Sequence, residues 1–137
     1  MDHWKASKKA LRYLQGTKDH VLTYRRSDHL DAVGYSDSDY AGCVDTRKST
    51  FGYLFLLGGG AISWKSAKQS VIAASTMEAE FVACFEATVQ AIWLRNFISG
   101  LGLVDNIVRP LKIYCDKTAA VFFSKNDKYS KDLSIWN

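Results

Sequence analysis

The sequence predicts an α/β fold in which three antiparallel strands and a parallel fourth form one mixed sheet, crossed by a long helix. Three observations predict it. Residues 32–39 alternate as a strand and end in carboxylates, and residues 51–65 read as two further strands about Gly58-Gly59-Gly60. An S-x-x-E capping box at Ser75-Thr76-Met77-Glu78 then opens a long helical segment, which precedes another apolar strand at Leu111–Cys115. Strand, long helix, strand implies a right-handed crossover onto a parallel pairing.

The elements follow in order. Trp4, Leu11 and Leu14 are spaced by helical turns among Lys5, Lys8, Lys9 and Arg12, and Gly16 follows as a stop, so a short basic helix leads the chain. Its charged side is either the solvated face of a docking helix or a contact for nucleic acid. Val21 to Arg25 reads as a short extended stretch, and the polar run Ser27-Asp28-His29-Leu30-Asp31 places a soft boundary between segments 1–28 and 29–137. In Ala32–Asp39 the alternation puts Val33, Tyr35, Asp37 and Asp39 on one face. Phe51 to Leu57 is nearly continuous in apolar residues, as expected of a strand buried on both faces. The three glycines supply the positive φ of a hairpin, and Ala61 to Lys65 returns antiparallel.

The long helix runs from the capping box through Phe81, Phe85, Thr88, Ile92 and Trp93 to a stop near Gly100 and Gly102. Glu78 is explained by the cap. Glu80 is not: it shares a face with Ala83, Cys84 and Ala87, small residues suited to close packing on a sheet. A second buried strand, Leu111 to Cys115, ends in Asp116, and Thr118 to Phe123 reads as a helix start. The tail from Asn126 to Asn137 is polar, with only Leu133, Ile135 and Trp136 apolar.

With 137 residues, 47% of them hydrophobic and 23% charged, the chain has room for one globular unit with a modest core. The formal net charge of +4 is compatible with a polyanionic partner, although many ordinary basic proteins share it. Cys43, Cys84 and Cys115 form no C-x-x-C pair, and their odd number argues against a disulfide framework; they read as reduced thiols of an intracellular protein, cytoplasmic or nuclear. The N-terminus lacks the apolar core of a signal peptide, and no apolar run approaches the roughly 18 residues of a membrane span, so no membrane association is expected.

Parallel pairing of the strand bearing Asp37 with the strand ending in Asp116 brings both carboxylates to the carboxyl edge of the sheet, where α/β folds bind ligands. Glu80, near the start of the crossover helix, reaches the same edge. Three acids gathered in a basic protein repel one another unless cations neutralise them, and Mg²⁺ or Mn²⁺ is the natural counter-charge for oxygen donors. Asp39 reads as the first residue of a turn through Gly42, and Asp45 as a partner for Arg47 or Lys48. None of His3, His20 and His29 falls near the acids, so neither zinc-ligand spacing nor a nucleophile–histidine arrangement is present.

Gly34-Tyr35-Ser36-Asp37-Ser38-Asp39-Tyr40-Ala41-Gly42, followed by Asp45-Thr46-Arg47-Lys48-Ser49-Thr50, closely resembles the ribonuclease H domain of copia-type retrotransposon polyproteins. Gly60–Ser66, Ser75–Phe81 and Ile113–Asp116 look like further signatures of that family, in order and at family-like spacing. Even His3–Ala6 and Leu11–Thr17 are similar to the segment joining reverse transcriptase to ribonuclease H.

The resemblance covers about residues 3–131 and implies a ribonuclease H-like sheet. By it, Asp37, Glu80 and Asp116 are the first three metal-binding and catalytic acids. Two Mg²⁺ ions would serve hydrolysis of the RNA strand of an RNA–DNA hybrid, read through phosphates and 2′-hydroxyls with little sequence specificity. Residues 1–28 would then be the end of a connection region, with the polyprotein's reverse transcriptase as a partner, and residues 29–137 the ribonuclease H-like domain.

The sequence departs from that pattern in three places. The family's fourth acid follows a fifth strand and opens a last helix, and the chain reaches Asn137 before either, so both are expected to be missing and activity to be weak or absent. The residues from Asp132 to Asn137 do not resemble the family's continuation. Lys117 stands where the family has asparagine, placing a cation beside the third acid, and Phe51 replaces a small residue. Two rivals remain from other classes. One is a catalytically inactive, nucleic-acid-binding remnant. The other is an integrase-type transferase, disfavoured because the helix carrying Glu80 lies between the two acid-bearing strands instead of after them.

Overall fold

The computed structural model describes residues 2–26, 30–102 and 111–116. A helix α1 (Asp2–Gly16) precedes the strands β1 (Ala32–Asp39), β2 (Thr50–Leu57) and β3 (Gly60–Lys68). Helix α2 (Thr76–Gly100) and a short strand β4 (Lys112–Tyr114) follow. The sheet order is β3-β2-β1-β4, with β1–β2 and β2–β3 antiparallel and β1–β4 parallel. This is the expected ribonuclease H-like arrangement of three antiparallel strands, a parallel fourth and a long crossover helix. Lys117, the expected helix start at Thr118–Phe123 and the tail lie outside the described residues.

The hairpin turns on Gly58 and Gly59, at φ of 56° and 82°, a pair of positive values that a two-residue loop between right-twisted strands requires. A shift of register between Phe55 and Leu56 bends β2 against β3. The start of β3 is anchored from outside the sheet by Tyr24, whose hydroxyl donates to the Ala61 carbonyl. No strand forms over the Val21–Arg25 stretch that sequence marked as extended; Tyr24 meets the sheet through its side chain instead.

Helix α2 starts as its capping box dictates. The Ser75 hydroxyl accepts from the Glu78 N–H at 3.2 Å, while Glu78 Oε2 accepts from the Ala74 N–H at 2.6 Å, one residue before the cap. It packs on β1 and β2 through its small residues: Ala79, Ala83, Cys84, Ala87 and Ala91 are buried, whereas Phe85, Ile92, Trp93 and Phe97 face outward. Leu94 and Ile98 join Phe55, Leu111 and Ile113 to complete the core. Gly34 makes room within the sheet for the Phe55 ring, from which a methyl group there would stand 2.5 Å. Buried Gln69 ties the end of β3 to α2 by donating to the Ala79 carbonyl at 2.8 Å.

Two strands differ from their sequence reading. Both β2 and β4 were expected to be buried on both faces, yet Leu54 is exposed and β4 alternates exposed, buried, exposed. The reason is that α2 covers one face, and among the described residues nothing covers the other. Tyr35, Leu54, Trp64 and Tyr114 consequently stand in the open, with the Tyr35 and Tyr114 rings stacked at 5.4 Å. The leading helix α1 is also unpacked: Trp4, Leu11 and Leu14 are each more than half exposed.

Candidate active site

The parallel pairing of β1 and β4 matches Val33 with Lys112, Gly34 with Ile113 and Tyr35 with Tyr114. Continued by two positions, that register sets Asp37 opposite Asp116 at the carboxyl edge of the sheet. The alternation of β1 turns Gly34 and Ser36 toward α2 and leaves Tyr35, Asp37 and Asp39 exposed. Asp37 therefore lies on the uncovered side, its Oδ1 accepting from the Ser38 N–H at 2.9 Å. Asp39 does what the sequence suggested for it: its carboxylate folds over Gly42, and the turn carries Ala41 at φ 50°.

Glu80 comes from the first turns of α2, on the side that faces the sheet. The Ser38 hydroxyl donates to its Oε1 at 2.8 Å, while its Oε2 is buried with no hydrogen-bond partner. Burial pushes the Glu80 carboxyl above its ordinary range, and the negative charges of Asp37 and Asp116 push it further, against the opposing bond from Ser38. Glu80 thus lies within electrostatic reach of both Asp37 and Asp116. They do not converge as they stand: among the described residues, no group of three His, Cys, Asp or Glu side chains is placed to hold a metal ion. A groove of about 490 Å³ runs beside Asp37, walled by Tyr35, Leu54, Lys65 and Tyr114.

Beneath the acids lies a second pair. The influence of Cys115 and burial push the thiol of Cys84, one helical turn after Glu80, up, while the influence of Cys84 holds that of Cys115, next to Asp116, down. Cys43 is separate, at the far side of β1, where the Lys68 ammonium donates to its sulfur at 2.9 Å.

The geometry can be set beside known proteins. Over 128 residues, 93% of its length, the chain is 45% identical to the retrovirus-related Pol polyprotein from transposon TNT 1-94 of Nicotiana tabacum. Over 125 residues it is 38% identical to the corresponding polyprotein from transposon RE2 of Arabidopsis thaliana. The chain is homologous to a segment of copia-type retrotransposon Pol polyproteins. It spans only 9% and 8% of the length of those two relatives. The secreted RxLR effector protein 161 of Plasmopara viticola is 51% identical over 92 residues, which make up 67% of this chain and 65% of that protein. No family model matches the chain, and no solved structure matches it.

For this retroelement-derived protein, sequence reading missed Ser38, whose N–H and hydroxyl donate to Asp37 and Glu80. Ser38 sits inside the Asp37-Ser38-Asp39 motif, and its alternation partner Ser36 was the available signal that the hydroxyl points at the helix. The influence of Cys115 on Cys84 was missed as well, since cysteines on separate elements carry no spacing signal. Among the described residues of the Pol homologue, no helix is long and apolar enough to cross a membrane.

Proposed function

We propose that this retroelement-derived protein is a divalent-metal-dependent endonuclease that hydrolyses the RNA strand of RNA–DNA hybrids, with Asp37, Glu80 and Asp116 as its metal-binding and catalytic acids. The observation that carries the reading is Glu80: a half-buried carboxylate with one orphaned oxygen, lying in the fields of two further carboxylates. Such repulsion is relieved by a hard cation, and an all-oxygen donor set fits Mg²⁺, or Mn²⁺ in its place. Two such ions, when bound, would supply an activated water and neutralise charge developing on the leaving oxygen.

The chain's own residues prepare the site. Ser38 fixes Glu80 through its hydroxyl and Asp37 through its N–H, so one residue sets the separation of two ligands. The groove beside Asp37, with the exposed Lys65 on its wall, offers room for a phosphodiester strand near the acids. Hybrid binding would rest on phosphates and 2′-hydroxyls. Residues 1–28 would serve as the connection to a reverse transcriptase partner, and residues 29–137 as the nuclease domain.

A second reading, an inactive remnant that still binds nucleic acid, is favoured by one observation, that the acids as placed do not close on a single point. Cleavage of a labelled hybrid in Mg²⁺ and Mn²⁺ separates the two. Metal-dependent cleavage lost in Asp37→Asn is expected; salt-sensitive hybrid binding without turnover by folded protein would establish the remnant instead.

A further inference from the structure

We propose that the uncovered face of the sheet is a stacking platform for the unpaired bases of single-stranded nucleic acid. The sheet register builds it. Trp64 of β3 pairs with Leu54 of β2, Leu54 with Tyr35 of β1, and Tyr35 with Tyr114 of β4. One residue from every strand thus stands in a single row on one face, and three of the four carry rings. Trp64, Tyr114 and Tyr35 are 63%, 55% and 45% exposed. The row spans three inter-strand steps, about 14 Å. An open four-stranded sheet that presents aromatic side chains in this way can stack two or three bases.

The next row toward the carboxyl edge is low. There Asp37 pairs with Gly52 and Gly52 with Ser66, so a trough without a side chain at its centre runs between the rings and the sheet edge. It forms part of the groove that leads to Asp37, with Lys65 on its wall. Lys112, exposed on β4 opposite Val33, stands on the other side of the ring row. Lysines therefore flank the row on both sides, where the phosphates of a strand stacked on the rings would run.

This chemistry selects a polynucleotide over an apolar protein helix. Two of the three rings end in hydroxyls, and the exposed carboxylate of Asp37 borders them. A helix seated here would strip water from that carboxylate without pairing it, whereas a single strand leaves the groove wet. The charge of Asp37 is met by the metal, so delivery of the strand to the acids rests on the nuclease reading above; stacking on the rings does not. The substrate implied is a hybrid that carries a single-stranded extension.

Fluorescence anisotropy of the full chain with a labelled thymidine oligonucleotide of about 12 nucleotides, in Mg²⁺, tests the platform. Binding is expected. An abasic strand of the same length, which keeps the phosphates and lacks the bases, is expected to bind about tenfold more weakly. Trp64→Ala and Tyr114→Ala are each expected to cost about tenfold with the salt slope unchanged, and Tyr114→Phe to keep the parental affinity, since stacking needs only the ring. Equal binding of the abasic strand overturns the proposal, as does parental affinity in alanine variants that melt as the parent does. A parent that sediments as a dimer and a Tyr114→Ala protein that sediments as a monomer, with oligonucleotide affinity unaltered, would give the face to a second copy and likewise overturn it. Single-stranded DNA is not the substrate of the proposed hydrolysis, so these outcomes stand whether or not hybrids are cleaved. A hybrid with a single-stranded extension is then expected to bind more tightly than a blunt one, and equal affinities overturn the link to the acids.

Discussion

At the scale of single residues, the charge environment of each reactive group makes its chemistry measurable. The Lys68 ammonium and the Thr46 hydroxyl lower the Cys43 thiol to about 7, while Cys84 is buried. A soluble alkylating agent at neutral pH is therefore expected to modify Cys43 first, and Lys68→Gln to slow that reaction roughly tenfold by cutting the thiolate fraction. A mass-spectrometric time course checks it; an unchanged rate would show that Lys68 does not activate the sulfur. Glu80 titrates in the opposite sense to a stabilising carboxylate. Its folded value lies above its unfolded one, so the stability it contributes at low pH is lost as pH rises from the unfolded carboxylate range through the folded value. Glu80→Gln keeps an acceptor for Ser38 and removes the charge. It is expected to stabilise the metal-free protein at neutral pH and to flatten the pH dependence of melting, because the neutral amide is neither repelled by Asp37 and Asp116 nor penalised as a buried charge. A destabilised variant would contradict the picture of an orphaned, repelled carboxylate. The acids themselves were legible because strand ends and helix starts are visible in sequence. Ser38 was not, since which neighbour a hydroxyl bonds depends on the packing of α2.

Elements were legible wherever a local rule fixed them. The capping box predicted the start of α2, and Ser75→Ala is expected to cost about 1 kcal/mol in denaturant melts, with no change in the slope of unfolding against denaturant. The glycine run predicted the β2–β3 hairpin to within a residue. Packing was less visible. The aromatic residues that mark α2 in sequence point outward, and the small Ala83, Ala87 and Ala91 meet the sheet. Ala87→Leu is accordingly expected to destabilise by about 1–3 kcal/mol through overpacking; a neutral result in the same melts would place the helix farther from β1 than described. The double burial expected of β2 failed because a continuous apolar run reports the hydrophobicity of both faces without saying whether a second layer covers them.

For the whole molecule, charge and uncovered surface dominate. Lys8, Lys9 and Arg12 stand exposed on α1 in a chain of net charge +4. Metal-free binding to a hybrid is expected to weaken steeply with salt, and Lys8→Ala with Lys9→Ala to reduce the logarithmic salt slope by about 1–2 if α1 lies against phosphates. An unaltered slope would assign α1 to protein contact and leave nucleic acid to the sheet edge. Sequence could offer both roles for this helix and decide neither, because its exposed apolar and basic sides each suit a partner.

The three-residue pairing of β4 with β1 sets the alignment of the entire edge like the tooth of a ratchet. Were β4 to move by one notch, Asp116 would rotate under the helix to where Cys115 now lies, and Ile113 would leave the core to Lys112 or Tyr114. The cost of exposing one isoleucine thus guards the placement of a carboxylate three positions away, and a change confined to the core at residue 113 would read out as an error in the chemistry at the rim.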